Sequence, residues 1–172
     1  MFEKYIAIWK QHKIPKTCSG KEELAKKLGY KYVGMGSCRI VYLAPDNSHV
    51  VKFEIEDSNY PHQNAREHKV YNKYKGKKFA MVYANGKKVR RSIPQFAECT
   101  LVNNIIFMEA VEVLYYKYSE KARGYSYFRK NNMIKLPKWA YHSNLDGGQV
   151  GINKNNKIVV YDYGWNTTGE CT

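Results

Sequence analysis

This sequence predicts an α+β fold: a five-stranded antiparallel sheet with one main helix, followed by a reduced second part. Three observations predict it. Apolar residues at Phe2, Tyr5, Ile6 and Trp9 recur at i, i+3, i+4 and i+7, the period of a helix with one buried face. From Tyr30 the apolar period switches to two, the signature of strands, and holds through Phe53. Residues 105–110 run apolar enough to be an interior strand.

Each element has its local reason. The first helix covers residues 2–9 and Pro15 stops it. Ser19-Gly20-Lys21-Glu22 reads as a capping box for a second helix, which continues from Leu24 to Leu28 and which Gly29 ends. Both helices are expected to brace the sheet. Strands over 30–33, 39–43 and 49–53 follow, the last two joined by a turn at Pro45-Asp46-Asn47. Ser58 or Asn59 followed by Pro61 marks the start of the main helix, which can run to Tyr74 and ends by Gly76. Asn85-Gly86 predicts a hairpin turn with a strand on each side. Residues 93–99 and 105–110 read as two more strands, 114–123 as helical, 147–148 as a loop, 153–156 as a turn and 158–161 as a buried strand.

A chain of 172 residues suffices for one domain with a core and is short for two. A composition 44% hydrophobic and 15% aromatic is that of a folded protein and excludes a disordered one. The formal net charge of +14 is the outlying quantity. It predicts attraction to an acidic protein, nucleic acid, nucleotide phosphates or an anionic surface, unless the lysines serve solubility alone. Cys18, Cys38, Cys99 and Cys171 form no C-x-x-C pair, and no histidine stands at metal-ligand spacing, so they read as reduced thiols. Glu3 stands where a signal peptide runs apolar, and no stretch has the length of a membrane span. A soluble cytoplasmic protein with no membrane partner is the expectation.

Three sparse signals carry the chemistry. Gly34-Met35-Gly36 is a glycine-rich turn followed by an alternating run through Val41, so it joins two strands and does not open a helix as a dinucleotide-binding loop would. Lys52 follows Val50-Val51 on an apolar strand. Either it is a surface lysine with its head in water, or it is buried and needs a negative partner. Glu67 is the only acid between Asp57 and Glu98, which makes it the candidate. Asp162-Tyr163-Gly164 comes last, after a buried strand.

In this order the signals resemble the protein-kinase superfamily. Gly34, Gly36 and Val41 match the pattern G-x-G-x-x-G-x-V, with Arg39 at the third glycine, and Val50-Val51-Lys52 is similar to V-A-I-K. Met108-Glu109 resembles the gatekeeper and hinge. His142-Ser143-Asn144-Leu145-Asp146-Gly147-Gly148-Gln149 stands in register with H-R-D-L-x-x-x-N, and Asp162-Tyr163-Gly164 with D-F-G. The resemblance implies one domain over 1–172: N-terminal helices 1–29, an N-lobe 30–108, a hinge 109–112 and a truncated C-lobe 113–172. It also implies ATP and Mg as cofactors. Gly34, Gly36, Val41, Lys52, Glu67, Met108 and Glu109 would bind the nucleotide, and Asp162 and Gln149 the metal.

Two departures bear on catalysis. Asn144 stands at the catalytic aspartate and Gln149 at the metal-binding asparagine. An amide cannot take the acceptor's proton, and a missing general base costs about 3 to 5.5 kcal/mol of barrier. Asp146, two residues on, is either a displaced base or metal ligand that orients the acceptor with Asn144, or an ordinary loop aspartate beside Gly147. Only Trp165 to Thr172 follow the triplet, where the family carries an activation segment and a substrate-docking lobe. These features favour a minimal, bacteriophage-type pseudokinase that binds and regulates a partner. The alternatives are a slow protein serine/threonine kinase and a basic nucleic-acid-binding protein.

Ten lysines and arginines against one acid between 66 and 91, and rings interleaved with cations from Tyr115 to Lys130, suit three outcomes. They are an acidic host or regulatory protein, nucleic acid bound through segment 66–91, or a solvated charged face.

Overall fold

A computed structural model of the chain describes residues 2–56, 61–84, 87–119, 124–134 and 149–162. In chain order its elements are α1 (Glu3–Lys10), α2 (Cys18–Lys27), β1 (Lys31–Met35), β2 (Arg39–Leu43), β3 (His49–Glu54), α3 (Gln63–Tyr74), β4 (Phe79–Ala84) and β5 (Lys87–Ser92). There follow β6 (Cys99–Val102), β7 (Ile105–Glu109), β8 (Val111–Val113), β9 (Tyr115–Ser119), β10 (Gly124–Arg129), β11 (Asn132–Ile134), β12 (Val150–Asn153) and β13 (Ile158–Val160). The chain divides into two compact units, Met1–Lys69 with Glu98–Ala110, and Val70–Ala97 with Val111–Thr172.

The first unit is built on a five-stranded sheet of order β1-β2-β3-β7-β6, antiparallel at every step. Strand alternation gives it two different faces. One carries Ile40, Tyr42, Val51, Phe53, Ile105 and Phe107, and on these pack Phe2 and Trp9 from the α1 segment, Ala25 from α2, and Tyr30. The apolar stripe read at Phe2, Tyr5, Ile6 and Trp9 is therefore the face α1 lays on the sheet. Trp9 sits edge-on to Tyr30 with ring centroids 5.3 Å apart. The two N-terminal helices brace the sheet as expected, although α1 ends at Lys10, well before Pro15.

Helix α2 starts earlier than its sequence suggests. Thr17, not Ser19, is its cap: the Thr17 hydroxyl accepts from the Gly20 amide at 3.2 Å. Gly29 ends it with φ +80°, the left-handed conformation that only glycine adopts cheaply.

His49 is buried at the start of β3. Its Nε2 lies 2.9 Å from the Tyr30 hydroxyl and its Nδ1 2.8 Å from the Ser48 hydroxyl. Removal from water pushes its pKa down from 6.5 to about 4.

The second unit holds the β4–β5 hairpin and two small antiparallel sheets, β11-β10-β9 and β13-β12-β8. The expected turn at Asn85-Gly86 lies outside the described residues. The turn at 153–156 is present: the Asn153 side chain accepts from the amides of Asn155 and Lys157, both at 3.0 Å, and Asn156 has φ 57°. Gly151 permits the close approach of β8, because a Cβ there would stand 2.8 Å from the Glu112 carbonyl oxygen.

Two expected elements are corrected. Residues 93–99 do not form a strand; β6 begins only at Cys99, and Phe96 makes a single parallel bridge to Val160. Pro94 lacks the amide that a ladder would need. Residues 115–119 are a strand rather than the start of a helix. Three tyrosines in four residues favour the pleated surface over a helix, where rings lose rotamer freedom. Among the described residues no helix is long and apolar enough to cross a membrane.

Candidate functional site

The sheet face opposite the aromatic core is where the cations collect. Arg39 and Val41 alternate along β2, with Glu54 and Lys52 as their cross-strand partners on β3. Lys52 is in turn opposite Ile106 of β7. Lys52 is 4% exposed and Arg39 8%, which excludes a surface lysine with its head in water.

Their counter-charge comes from α3. Glu67 is 0% exposed, and both its oxygens lie 3.2 Å from Lys52 Nζ. Arg39 Nη1 donates to Oε2 of the same carboxylate at 2.6 Å. An isolated ion at this depth would cost several kcal/mol, so the three charges must be placed together or not at all.

A second carboxylate fixes the helix that carries Glu67. Glu54 accepts from the His62 and Asn64 amides at 3.1 and 2.7 Å, satisfying amides that the start of α3 leaves unpaired and favouring its positive end. The Asn64 side-chain amide then donates to the Lys52 carbonyl at 2.9 Å and to the Asn104 carbonyl at 2.8 Å. The start of α3 is thus tied to the strand that bears Lys52, and the helix periodicity brings Glu67 over it.

The glycine turn lies on the neighbouring strand pair. Gly34 is opposite Val41, and the Gly36 amide donates to the Arg39 carbonyl at 2.9 Å. Neither glycine has a positive φ, and a Cβ on either would meet nothing within 4 Å. Backbone strain and internal packing therefore do not require glycine at these two positions. The neighbouring side chains Val33 and Met35 are 57% and 62% exposed.

Arg39 is the site member that sequence reasoning missed, having counted it only as a replaced glycine. Its signal was available: it precedes Val41 by two on a strand, and so shares the face of Lys52.

Met108 is fully buried, opposite Val50 and Cys99. Glu109 is buried too, and its Oε1 accepts from the Glu98 amide at 2.9 Å. In the second unit, Gln149 precedes β12 and Asp162 follows Tyr161 at the open end of the β12–β13 hairpin, where the Tyr161 amide donates to the Gln149 carbonyl at 3.0 Å. The side-chain oxygen Oε1 of Gln149 is buried without a hydrogen-bond partner, and Asp162 is half-buried.

The orphaned amide oxygen of Gln149 is of the kind a hard cation such as Mg prefers, but the register that sets Gln149 opposite Tyr161 does not bring the Asp162 carboxylate beside it. Among the described residues no three His, Cys, Asp or Glu cluster as a metal site, so an ion here would need further oxygens from a ligand. Asn144, Asp146, Tyr163 and Gly164 lie outside the described residues.

Of the basic segment, Lys77, Lys78, Lys87, Lys88 and Arg90 are exposed. The Arg90 guanidinium lies over the Phe79 ring, 4.1 Å from its centroid.

Comparison with protein-family models, with curated proteins and with solved structures finds no match.

Proposed function

We propose that the chain is a nucleotide-binding, kinase-like regulatory protein, a pseudokinase in its chemistry, that acts on an acidic partner protein. The observation that carries this reading is the buried pair between Lys52 of the third strand and Glu67 of the main helix. Protein kinases use such a strand lysine, held by a helix glutamate, to bind ATP phosphates. Two further observations support it. Gly34 and Gly36 have no internal reason to be glycine, whereas close approach of a phosphate needs positions without a Cβ. Gln149 and Asp162 both lie at the open end of one hairpin, at the two positions the kinase pattern gives to metal ligands.

In this reading Lys52 receives phosphate oxygens and Glu67 orients it; Asp162 and Gln149 are the residues that the kinase pattern would assign to Mg. Asn144 at the base position argues for binding over turnover, because an amide takes no proton. The exposed cations of β5 and the Lys77-Lys78 pair suit an acidic partner surface.

The experiment is a thermal melt of the intact chain with ATP and Mg. A saturable rise in melting temperature, lost in both Lys52→Met and Asp162→Asn, is the expected result. No rise at millimolar ATP would leave the ion pair a purely structural one. Transfer of γ-phosphate to protein, abolished by Asp162→Asn, would replace the pseudokinase with a slow serine/threonine kinase.

A further inference from the structure

The first unit buries two lysines, and it treats them differently. Lys52 has the Glu67 carboxylate. Lys21, in the first turns of α2, is 6% exposed, and its Nζ donates to one carbonyl, that of Glu54, at 3.0 Å. It has no ion-pair partner among the described residues. An ammonium has three N–H donors, so two remain without an acceptor among the described residues. Buried donors and buried charge both carry a desolvation penalty unless something answers them.

What adjoins Lys21 is open space. It lines a cavity of about 250 Å³ together with Lys16, Asn103 and Asn104, and with Phe53 and Ile105 among the apolar walls. The asparagines form the tight β6–β7 turn with φ 47° and 63° and line the cavity. Two acids also border it. The Glu54 carboxylate is already bound by the His62 and Asn64 amides, and Glu56 is exposed to solvent. Neither forms an ion pair with Lys21. The lining is mixed, with charged and amide groups beside apolar walls, and the volume falls below the roughly 300 Å³ at which drug-sized sites begin.

We propose that this cavity is a binding site for a small organic acid, whose carboxylate meets Lys21 and Lys16 and whose apolar body rests on the half-buried Ile14, Pro15 and Ile55. The ammonium supplies the two donors it has to spare, and the ligand supplies the counter-charge that the fold withholds. The site stands apart from the Lys52–Glu67 pair and does not depend on nucleotide binding.

Benzoate, an acid of one ring, is the probe, with inorganic phosphate as an anion lacking an apolar body. Each is titrated into the intact chain while the lysine ammonium resonances are followed by nitrogen-detected NMR and stability by thermal melting. Benzoate is expected to shift the Lys21 signal saturably, to raise the melting temperature, and to bind more tightly than phosphate. Lys21→Met should abolish the response, and Lys16→Ala should weaken binding severalfold. If Lys21→Met does not fold, Lys16→Ala and the wild-type Lys21 resonance decide. A Lys21 resonance that does not move on addition of benzoate, phosphate binding as tight as benzoate, or an unchanged response in Lys21→Met would each overturn the proposal. Because the ATP response is read through Lys52, its failure and this one are separable.

Discussion

Glu67→Gln should destabilise the first unit far more than Lys52→Met, although both break the same ion pair. The carboxylate receives three hydrogen bonds from two cations, at 2.6, 3.2 and 3.2 Å. Replacing it by an amide leaves an ammonium and a guanidinium, both more than nine-tenths buried, facing a neutral group and each other. Removing one partner of such a set costs about 3 to 5 kcal/mol. Lys52→Met removes one cation, keeps an apolar chain of similar length, and leaves the 2.6 Å Arg39–Glu67 bond in place. Its cost should be about 1 to 2 kcal/mol, that of a near-isosteric core change with a hydrogen bond lost. Native-state hydrogen exchange at the amides of β2, β3 and β7 reads the stability of this sheet locally, and urea unfolding provides the second measure. The reasoning fails if Lys52→Met costs as much as Glu67→Gln, or if Glu67→Gln costs less than about 1 kcal/mol.

Two other outcomes follow from the same unit. Gly34→Ala and Gly36→Ala should leave stability unchanged or raise it by up to about 1 kcal/mol, since their backbone is unstrained and the added methyl meets open space; the ATP–Mg thermal shift should nevertheless shrink, and a shift equal to wild type would remove the loop from the nucleotide site. His49 has a folded pKa of about 4 against 6.5 in an open chain, so its neutral form is favoured by folding. Its contribution is complete above pH 6.5 and is lost as pH falls toward 4, a total of about 3 kcal/mol at 1.36 kcal/mol per unit. Urea midpoints measured across that window should fall for wild type and fall less for His49→Gln; parallel slopes would contradict a buried neutral imidazole.

Much of the first unit was legible because its signals are local. The 3.6 period of Phe2 to Trp9 and the alternation in β2 and β3 report burial directly, since each buried face is written in the residues that form it. Glu67 could be found by elimination, being the lone acid in a basic segment. What escaped was set by tertiary context. Thr17 caps α2 without the glutamate that would have marked a capping box, and the tyrosines of β9 go into a strand that pairs with β10, a partner separated from it by residues 120–123. Arg39 was legible as a residue and not as a role. A side chain's partner across 28 positions is a property of how α3 is tied to β3, and that tie rests on Glu54, Asn64 and Asn104, none of which carries a motif.

Arg39 also bears on what kind of kinase-like protein this would be. Where the strand lysine is the only cation on the helix glutamate, the pair can separate and the helix can swing, which is how kinases are switched. Here the glutamate has a second anchor on β2, a guanidinium that stays charged at any pH the protein meets and whose planar fork matches a carboxylate. Glu67 should therefore stay docked when Lys52 turns to a phosphate or is removed. A site held assembled in this way suits constant binding better than regulated turnover, and the amides at positions 144 and 149 point in the same direction. In Lys52→Met the amides of α3 should keep their wild-type exchange protection; in Arg39→Met they should keep it only while Lys52 is present, so that the double variant loses more than the two single losses added together.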